Sequence, residues 1–516
     1  MMPIYVIAHD VGTSSVKTAL VDSNGHVVAH AIEDYPLHTP RPGWVEQDPE
    51  DYWNAIVKTT RQISSNYKLS KDNLAGIVFT TQAMGVIPID KNGVVLHPNI
   101  SWVDGRAEKQ ARQIMRKIGG TKVFKSIIGI EITGKDVVCK LLWLKQERQD
   151  IYEKADLFLD VNGFLKFKAT GEKVAEWSGA CSYSFDLKKK DWDYLIFKLI
   201  GIDKEKLPPL VRSIDPVGTG LTAVAAESMG LPEGIPVFGG CDDTQSALVG
   251  STAVEEGESH IYLGTSAWFG IATEQAPKFR NGAVTLQSAD PEKNIVVGVT
   301  ESAGILLEWA SKELYKGISL DPNDVEVFHL MDQEISSVPI GSDHLIITPW
   351  VLGERCPVST TTTRGTIFNL GLEHTRAHVI RAIDEGIAYN LRWIIENFEK
   401  DFGFTITDVN VVGGGSLSKE WMQILADVTK RNIRTFEQPM YVGAIGAAMI
   451  GFVGAGIFSD FRFAKEIVKE TGIFTPHKEN FGVYDSLFET YKEIYSSLRE
   501  VYKKANEARF AIPSGD

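Results

Sequence analysis

The feature that most constrains this chain is an internal echo. The segment YVIAHDVGTSS, residues 5–15, runs into VKTALV at 16–21, and HIYLGTS at 260–266 runs into AWFGIA at 267–272. Each copy is a strand, a Gly-Thr-Ser turn and a second strand. Two such hairpins about 250 residues apart predict a duplicated unit whose turns face each other across a cleft. A length of 516 residues agrees, because a chain this long splits into about two large domains rather than growing one core. The expected division is 1–250 and 251–516.

Around the hairpins, strand-like runs at 75–81, 235–239 and 408–412 alternate with helical ones at 48–64, 138–148, 302–315, 374–399 and 484–508. That alternation predicts an α/β fold. An uncharged stretch at 440–458 has the length of a membrane span, but Gly443, Gly446, Gly451, Gly454 and Gly456 leave it only weakly apolar. It reads instead as a buried helix that other backbone can approach closely. The opening MMPIYVIAHD meets an acidic residue too early for an export signal and reads as a first strand.

Charge narrows the partners. A net charge of −14 disfavours nucleic acid or an anionic membrane surface. The four cysteines, Cys139, Cys181, Cys241 and Cys356, form no CxxC pair and read as reduced thiols of a cytoplasmic protein.

The motifs that carry chemistry surround the two turns. A Gly-Thr-Ser turn aims backbone N–H groups and hydroxyls at one point, as a phosphate requires. In the first copy the preceding strand holds Asp10, which either caps the turn or meets a divalent cation beside the phosphate; the second copy has Leu263 there. The run VVGGGSLSKEW from 411 places three glycines between a strand and a helix. They either let a flat ring lie on the backbone or form a helix entry capped by Ser418. In GGCDDTQSALVG at 239–250, two acids stand at the mouth of a helix, as caps or as an acceptor for a hydroxyl proton. Two rival nucleotide motifs fail. At 129–136 a near P-loop has Asp136 where Ser or Thr should hold Mg²⁺, and Gly218-Thr-Gly220 follows Asp215-Pro216 rather than a strand.

Together with GWVEQDPEDYW at 43–53, SWVDGRAEKQ at 101–110, KLLWLKQE at 140–147, GER at 353–355, HVIRAIDEG at 378–386 and GAIGAAMIG at 443–451, these pieces resemble the FGGY carbohydrate kinases. The resemblance covers nearly the whole chain. It implies two ribonuclease-H-like domains of the actin-like ATPase class with the active site between them, and ATP with Mg²⁺ as cofactors. It also implies a small sugar or polyol as substrate, phosphorylated on a terminal hydroxyl, with neither nucleic acid nor membrane as partner and a homodimer allowed for.

Carried over by position, the D-x6-G pattern fits Asp243 and not Asp242, making Asp243 the catalytic base. Asp10 becomes the Mg²⁺ partner, and Gly12, Thr13, Ser14 and Lys17 become phosphate contacts. Gly264, Thr265 and Ser266 would meet the γ-phosphate, and Gly304, Glu308, Gly414 and Gly415 would lie around the adenosine. Gln82, Met84, Trp102, Asp104, Asp243 and Thr244 are the substrate-side candidates.

Within the family, GWVEQDPEDYW and WVDGR look most like the xylulokinase-type branch, which implies a ketopentose such as xylulose. Glycerol, erythritol, ribulose and gluconate are the alternatives. The sequence departs where xylulokinases carry Met-His-Gly and glycerol kinases an Arg-Glu pair: here stand Ala83-Met84-Gly85. A second departure is Asn369, where the family signature has Gly. The same scaffold also serves ATPases without sugar chemistry; Asp243 and the WVDGR segment argue against that.

Overall fold

The computed structural model describes residues 3–120, 132–278, 281–317 and 325–510. The first sheet contains β1 (Tyr5–Val11), β2 (Ser15–Asp22), β3 (Val27–Asp34), β4 (Leu74–Thr81) and β5 (Cys241–Asp242), in the order β5-β4-β1-β2-β3. The second contains β6 (Ser259–Leu263), β7 (Ala267–Thr273), β8 (Val284–Gln287), β9 (Asn294–Thr300), β10 (Asp408–Val412), β11 (Asn432–Phe436) and β12 (Glu470–Phe474), in the order β8-β9-β7-β6-β10-β11-β12. Without β8 and β12 the two orders are the same, so the echo in sequence is an echo in topology.

Register brings particular residues to one edge. β1 pairs with β4 in parallel with Asp10 opposite Thr80, and β5 pairs with β4 in parallel with Asp242 opposite Thr81. The carboxyl ends of these strands therefore gather Asp10, Gln82 and Asp243, at the edge where ligands bind in open parallel sheets. In the second sheet β6 and β10 run parallel with Tyr262 opposite Val412, which sets Gly264 beside the glycine triplet.

Ten helices position these ends: α1 (Pro49–Ser64), α2 (Val137–Glu147), α3 (Val161–Thr170), α4 (Trp177–Tyr183), α5 (Asp243–Gly250), α6 (Gly304–Leu314), α7 (Arg376–Phe402), α8 (Lys419–Thr429), α9 (Val442–Gly454) and α10 (Phe481–Phe510). The helix expected at 48–64 forms as α1 because Asp48 accepts a hydrogen bond from the Glu50 N–H and Pro49 occupies the first helical turn. The strand expected at 235–239 does not form. Pro236 has no N–H to donate and Gly240 takes φ +73°, so this segment makes only single bridges, Val237 to Ile77 and Phe238 to Pro216.

The uncharged stretch becomes α9, buried nearly throughout, and no described helix is long and apolar enough to cross a membrane. Although it comes late in the chain, α9 packs on the first sheet: Ala444, Ala447, Ala448 and Met449 share a core with Val6, Ala8 and Val78. It crosses α5 at its glycines. A Cβ on Gly446 would lie 1.8 Å from the Ser246 carbonyl oxygen, and one on Gly250 2.2 Å from that of Val442.

The rejected motifs are ordinary structure. Gly218 and Gly220 take φ +58° and +87° in a turn before a helix capped by Thr222. Of the near P-loop, Gly129 to Glu131 lie outside the described residues, and the Asp136 carboxylate accepts from the N–H and hydroxyl of Thr133.

Candidate active site

The first turn is held from several sides. Gly12 N–H donates to the Ser15 carbonyl at 3.0 Å, closing it, and the Tyr35 hydroxyl donates to the carbonyls of Gly12 and Ser15. The Gln47 amide donates to the Thr13 carbonyl at 2.7 Å, and the Trp102 indole N–H to the Thr13 hydroxyl at 2.9 Å. Lys17 stands across the hairpin from Asp10, and Ser14 is exposed at the tip. A turn braced in this way loses little entropy when an anion binds it.

Two acids stand beside that turn. Asp10 is partly buried, and among the described residues no hydrogen bond or ion pair holds its carboxylate. Burial raises its pKa, and the Lys17 ammonium draws it part of the way back. Asp243 opens α5, with the Thr244 hydroxyl donating to its carboxylate at 3.2 Å. Burial and the nearby Asp10 charge push Asp243 up to about 6, the range useful to a general base near neutral pH. Asp242 occupies the cap position of α5 but makes no side-chain cap bond, and burial raises its pKa well above the usual range.

The second half reaches both acids. The Tyr262 phenol, stacked on Trp268 at 4.1 Å, has its pKa raised by burial and by the charges of Asp10 and Asp243. Helix α9 meets Asp10 with Gly443, where a Cβ would lie 2.8 Å from the carboxylate. No described group of three or more His, Cys, Asp or Glu forms a cage for a metal ion. Mg²⁺ needs none: it is commonly held by one or two carboxylates together with phosphate oxygens. An unpaired Asp10 beside a second acid fits that donor set.

The second turn closes by Gly264 N–H to the Ser266 carbonyl at 2.9 Å. It is tied to the start of α6, because Ala303 and Ile305 donate to the Thr265 carbonyl and Gly304 to that of Gly264. A Cβ on Gly304 would meet the Gly264 carbonyl oxygen at 2.6 Å, so no larger residue fits there unless the backbone shifts. Glu308 follows one turn later on the same helix face. Gly415 approaches the Trp421 ring and Leu263, while Gly414 is exposed beside the Met440 sulfur. Ser418 caps α8, accepting from the Trp421 N–H, as the helix-entry reading of this loop expects.

Of the substrate-side candidates, Gln82 is buried, and its amide donates to the Gln47 side-chain oxygen and the Tyr52 hydroxyl. Its own oxygen has no partner. Met84 takes φ +62° and Thr244 is half-buried. Trp102 lies 5.9 Å beneath the Arg355 guanidinium, which pairs with Glu301 at 2.8 Å. Asp104 does not fit the hydroxyl partner expected of it. It is fully buried, and its two oxygens accept from the Val45 N–H, the Arg106 N–H and the Arg106 guanidinium. Those bonds fix the Trp102 segment and leave no acceptor facing outward.

Tyr35, Gln47, Tyr262, Arg355 and Gly443 reach the site without having been singled out. All but Tyr35 lie in motifs quoted above, so the signal was present without an assignable contact.

Two sheets of one topology, each ending a strand–turn–strand unit near a shared junction, define a two-domain α/β fold of the actin-like, ribonuclease-H-like class. The chain matches two family models, the N-terminal domain of the FGGY family of carbohydrate kinases over residues 5–250 and its C-terminal domain over 260–455. It is 30% identical to a xylulose kinase of Bacillus subtilis, over 95% of this chain and 96% of that protein. It is 27% identical to a gluconokinase of the same organism, over 94% of each. The crystal structure of a xylulose kinase from Rhodospirillum rubrum superposes with a TM-score of 0.85 at 26% identity, covering 96% of this chain and 99% of that one. The chain belongs to the FGGY family of carbohydrate kinases, and it is a sugar kinase.

Proposed function

We propose that this kinase transfers the γ-phosphoryl group of ATP to a terminal hydroxyl of a small sugar or polyol, with a ketopentose such as xylulose as first candidate. Glycerol, erythritol, ribulose and gluconate remain its alternatives. The observation that carries the reading is Asp243, an acid raised to about 6 at the head of α5, within electrostatic reach of a second, unpaired acid, Asp10. The xylulose and gluconate kinases among its relatives support the choice of substrates.

In this mechanism Asp243 takes the proton of the attacking hydroxyl while Thr244 holds its carboxylate in place. Phosphoryl transfer spreads charge over the γ-oxygens, so positioned donors do most of the work. Thr13, Ser14 and Lys17 supply donors on one side and Thr265 and Ser266 on the other, while Gly12 and Gly264, whose N–H groups close the turns, let the phosphate approach the backbone. Mg²⁺ at Asp10 would neutralise phosphate charge. Gly304, Glu308, Gly414 and Gly415 would receive the adenosine, and Trp102 the carbon face of the sugar, with Gln82 and Met84 beside it. We carry the division into 1–250 for acceptor binding and catalysis and 251–516 for the nucleotide, a cytoplasmic location and an optional homodimer as parts of the same proposal.

The test is ADP release with ATP and Mg²⁺ across ketopentoses, pentitols, tetritols, glycerol and gluconate. One strongly preferred acceptor is expected. ADP release independent of every acceptor, with no phosphorylated product, would refute the proposal in favour of an ATPase.

A further inference from the structure

Lys140 is fully buried on α2, yet among the described residues no carboxylate pairs with it directly. Its ammonium donates instead to two backbone carbonyls, that of Met84 at 2.9 Å and that of Ser101 at 2.8 Å. These carbonyls belong to two separate segments, one ending β4 and one leading into Trp102. Both segments present side chains to the acceptor side of the site.

The Met84 segment needs such a hold. Met84 sits at φ +62°, a conformation unfavourable by about 1 kcal/mol or more for a residue with a side chain. The neighbouring groups are fixed as well: the Tyr183 hydroxyl donates to the Gly85 carbonyl at 2.9 Å, and Val86 N–H donates to the Asn99 side chain at 3.0 Å. A Cβ on Gly85 would fall 2.7 Å from that Asn99 oxygen, so the turn cannot move without displacing a buried amide. The Val86–Asn99 bond and the Ile100 N–H, which donates to the Val86 carbonyl at 3.1 Å, already join this turn to the chain leading into Trp102, and Lys140 adds the hold nearest the two side chains, at the carbonyls of Met84 and Ser101.

We infer that Lys140 is a positioning residue for the acceptor pocket, clamping from inside the fold the two segments that carry Met84 and Trp102. The inference rests on the placement of Met84 and Trp102 at the sugar, as proposed above. Burial lowers the Lys140 pKa to about 7, with the charges of Asp104 and Asp136 opposing that shift and Arg106 adding to it. The clamp works in either protonation state, since a neutral amine still has two N–H donors for two carbonyls. Lys140 touches neither the phosphate turns nor the glycine triplet, and although the Trp102 indole braces Thr13, the first turn keeps its Gly12, Tyr35 and Gln47 bonds without it, so removal of Lys140 weighs mainly on sugar binding.

The experiment uses the full-length enzyme and the best acceptor from the panel. Lys140→Met should raise KM for that acceptor tenfold or more, leaving KM for ATP and kcat within about threefold. Lys140→Gln, whose amide still donates but on a shorter side chain, should fall between it and wild type. In a Met84→Gly background, where φ +62° carries no strain, the same Lys140→Met change should raise the acceptor KM by less than the full tenfold, the remainder coming from the Trp102 segment. Parallel rises in both KM values, no change in either, or the full tenfold effect in the Met84→Gly background would overturn the inference. So would failure of both Lys140 variants to give soluble protein, which would make Lys140 a residue of the whole fold. A wild type that phosphorylates no acceptor at all refutes the functional proposal and takes this inference with it.

Discussion

Replacing Asp243 with Asn should make the enzyme nearly inactive and more stable at once. The side chain keeps its size but loses the ability to accept a proton, so kcat should fall by about 10²-fold or more with near-normal ATP affinity. The stability change follows from the raised pKa. Asp243 is raised from the ordinary carboxylate value of 3.8 to about 6 because burial and Asp10 disfavour its charge. At about 1.36 kcal/mol per unit, ionised Asp243 costs the folded state up to about 3 kcal/mol, an upper bound because the side chain is only partly buried. The cost is absent below the unfolded pKa, grows as pH rises and is complete above about 6. Thermal unfolding should therefore show the variant several degrees more stable than wild type at pH 7.5, with the difference gone near pH 4. The same titration governs turnover. Wild-type kcat/KM for ATP at saturating sugar should fall about tenfold between pH 7 and pH 5, as the ionised fraction drops from roughly 0.91 to 0.09. A variant less stable than wild type at pH 7.5, or one retaining a tenth of the activity, would show that Asp243 is neither strained nor the base.

Three further outcomes are expected. Asp10→Ala should cripple turnover and weaken its dependence on Mg²⁺ concentration, whereas an unaltered Mg²⁺ titration at full activity would leave Asp10 as a turn residue. Within the ketopentose class D-xylulose itself should be turned over less efficiently than an acceptor that presents a less polar feature to Met84, because the thioether pairs poorly with a sugar hydroxyl, and Met84→His should improve its kcat/KM. A wild-type value of about 10⁴ M⁻¹s⁻¹ or more that the histidine makes worse would refute this. Gly446→Ala should destabilise the protein by roughly 2–3 kcal/mol, since the new Cβ meets backbone of α5 rather than a movable side chain; an unchanged Tm would contradict the close crossing.

Much of this architecture is legible in the residues. The two Gly-Thr-Ser hairpins predict the repeated sheet, and the expected strand at 408–412 appears as β10 because its alternating Val residues fill the core while Asp408 stays near the edge. Asn369 shows a motif departure explained by geometry: it takes φ +64°, where Gly is free and Asn is among the few tolerated residues, so the backbone survives the substitution. What the sequence hides is pairing between distant side chains. Asp104 reads as a substrate-side candidate until Arg106 is seen folded back on it, and Lys140, the first residue of KLLWLKQE, gives no sign in sequence of its two carbonyl partners. Local spacing encodes periodicity and turn chemistry, whereas these contacts depend on which segments the tertiary fold brings together.

The packing of α9 on the first sheet has a consequence for synthesis of the chain. The strands from Tyr5 to Asp242 leave the ribosome long before the helix that covers one of their faces, which starts at Val442. At translation rates of about 5–20 residues per second, that delay is roughly 10–40 s. Throughout it Val6, Ala8 and Val78 lack their later partners, and the nascent first half exposes a sticky apolar surface. This half should depend on chaperone protection during translation, and a fragment ending near residue 250 should aggregate unless α9 is supplied with it.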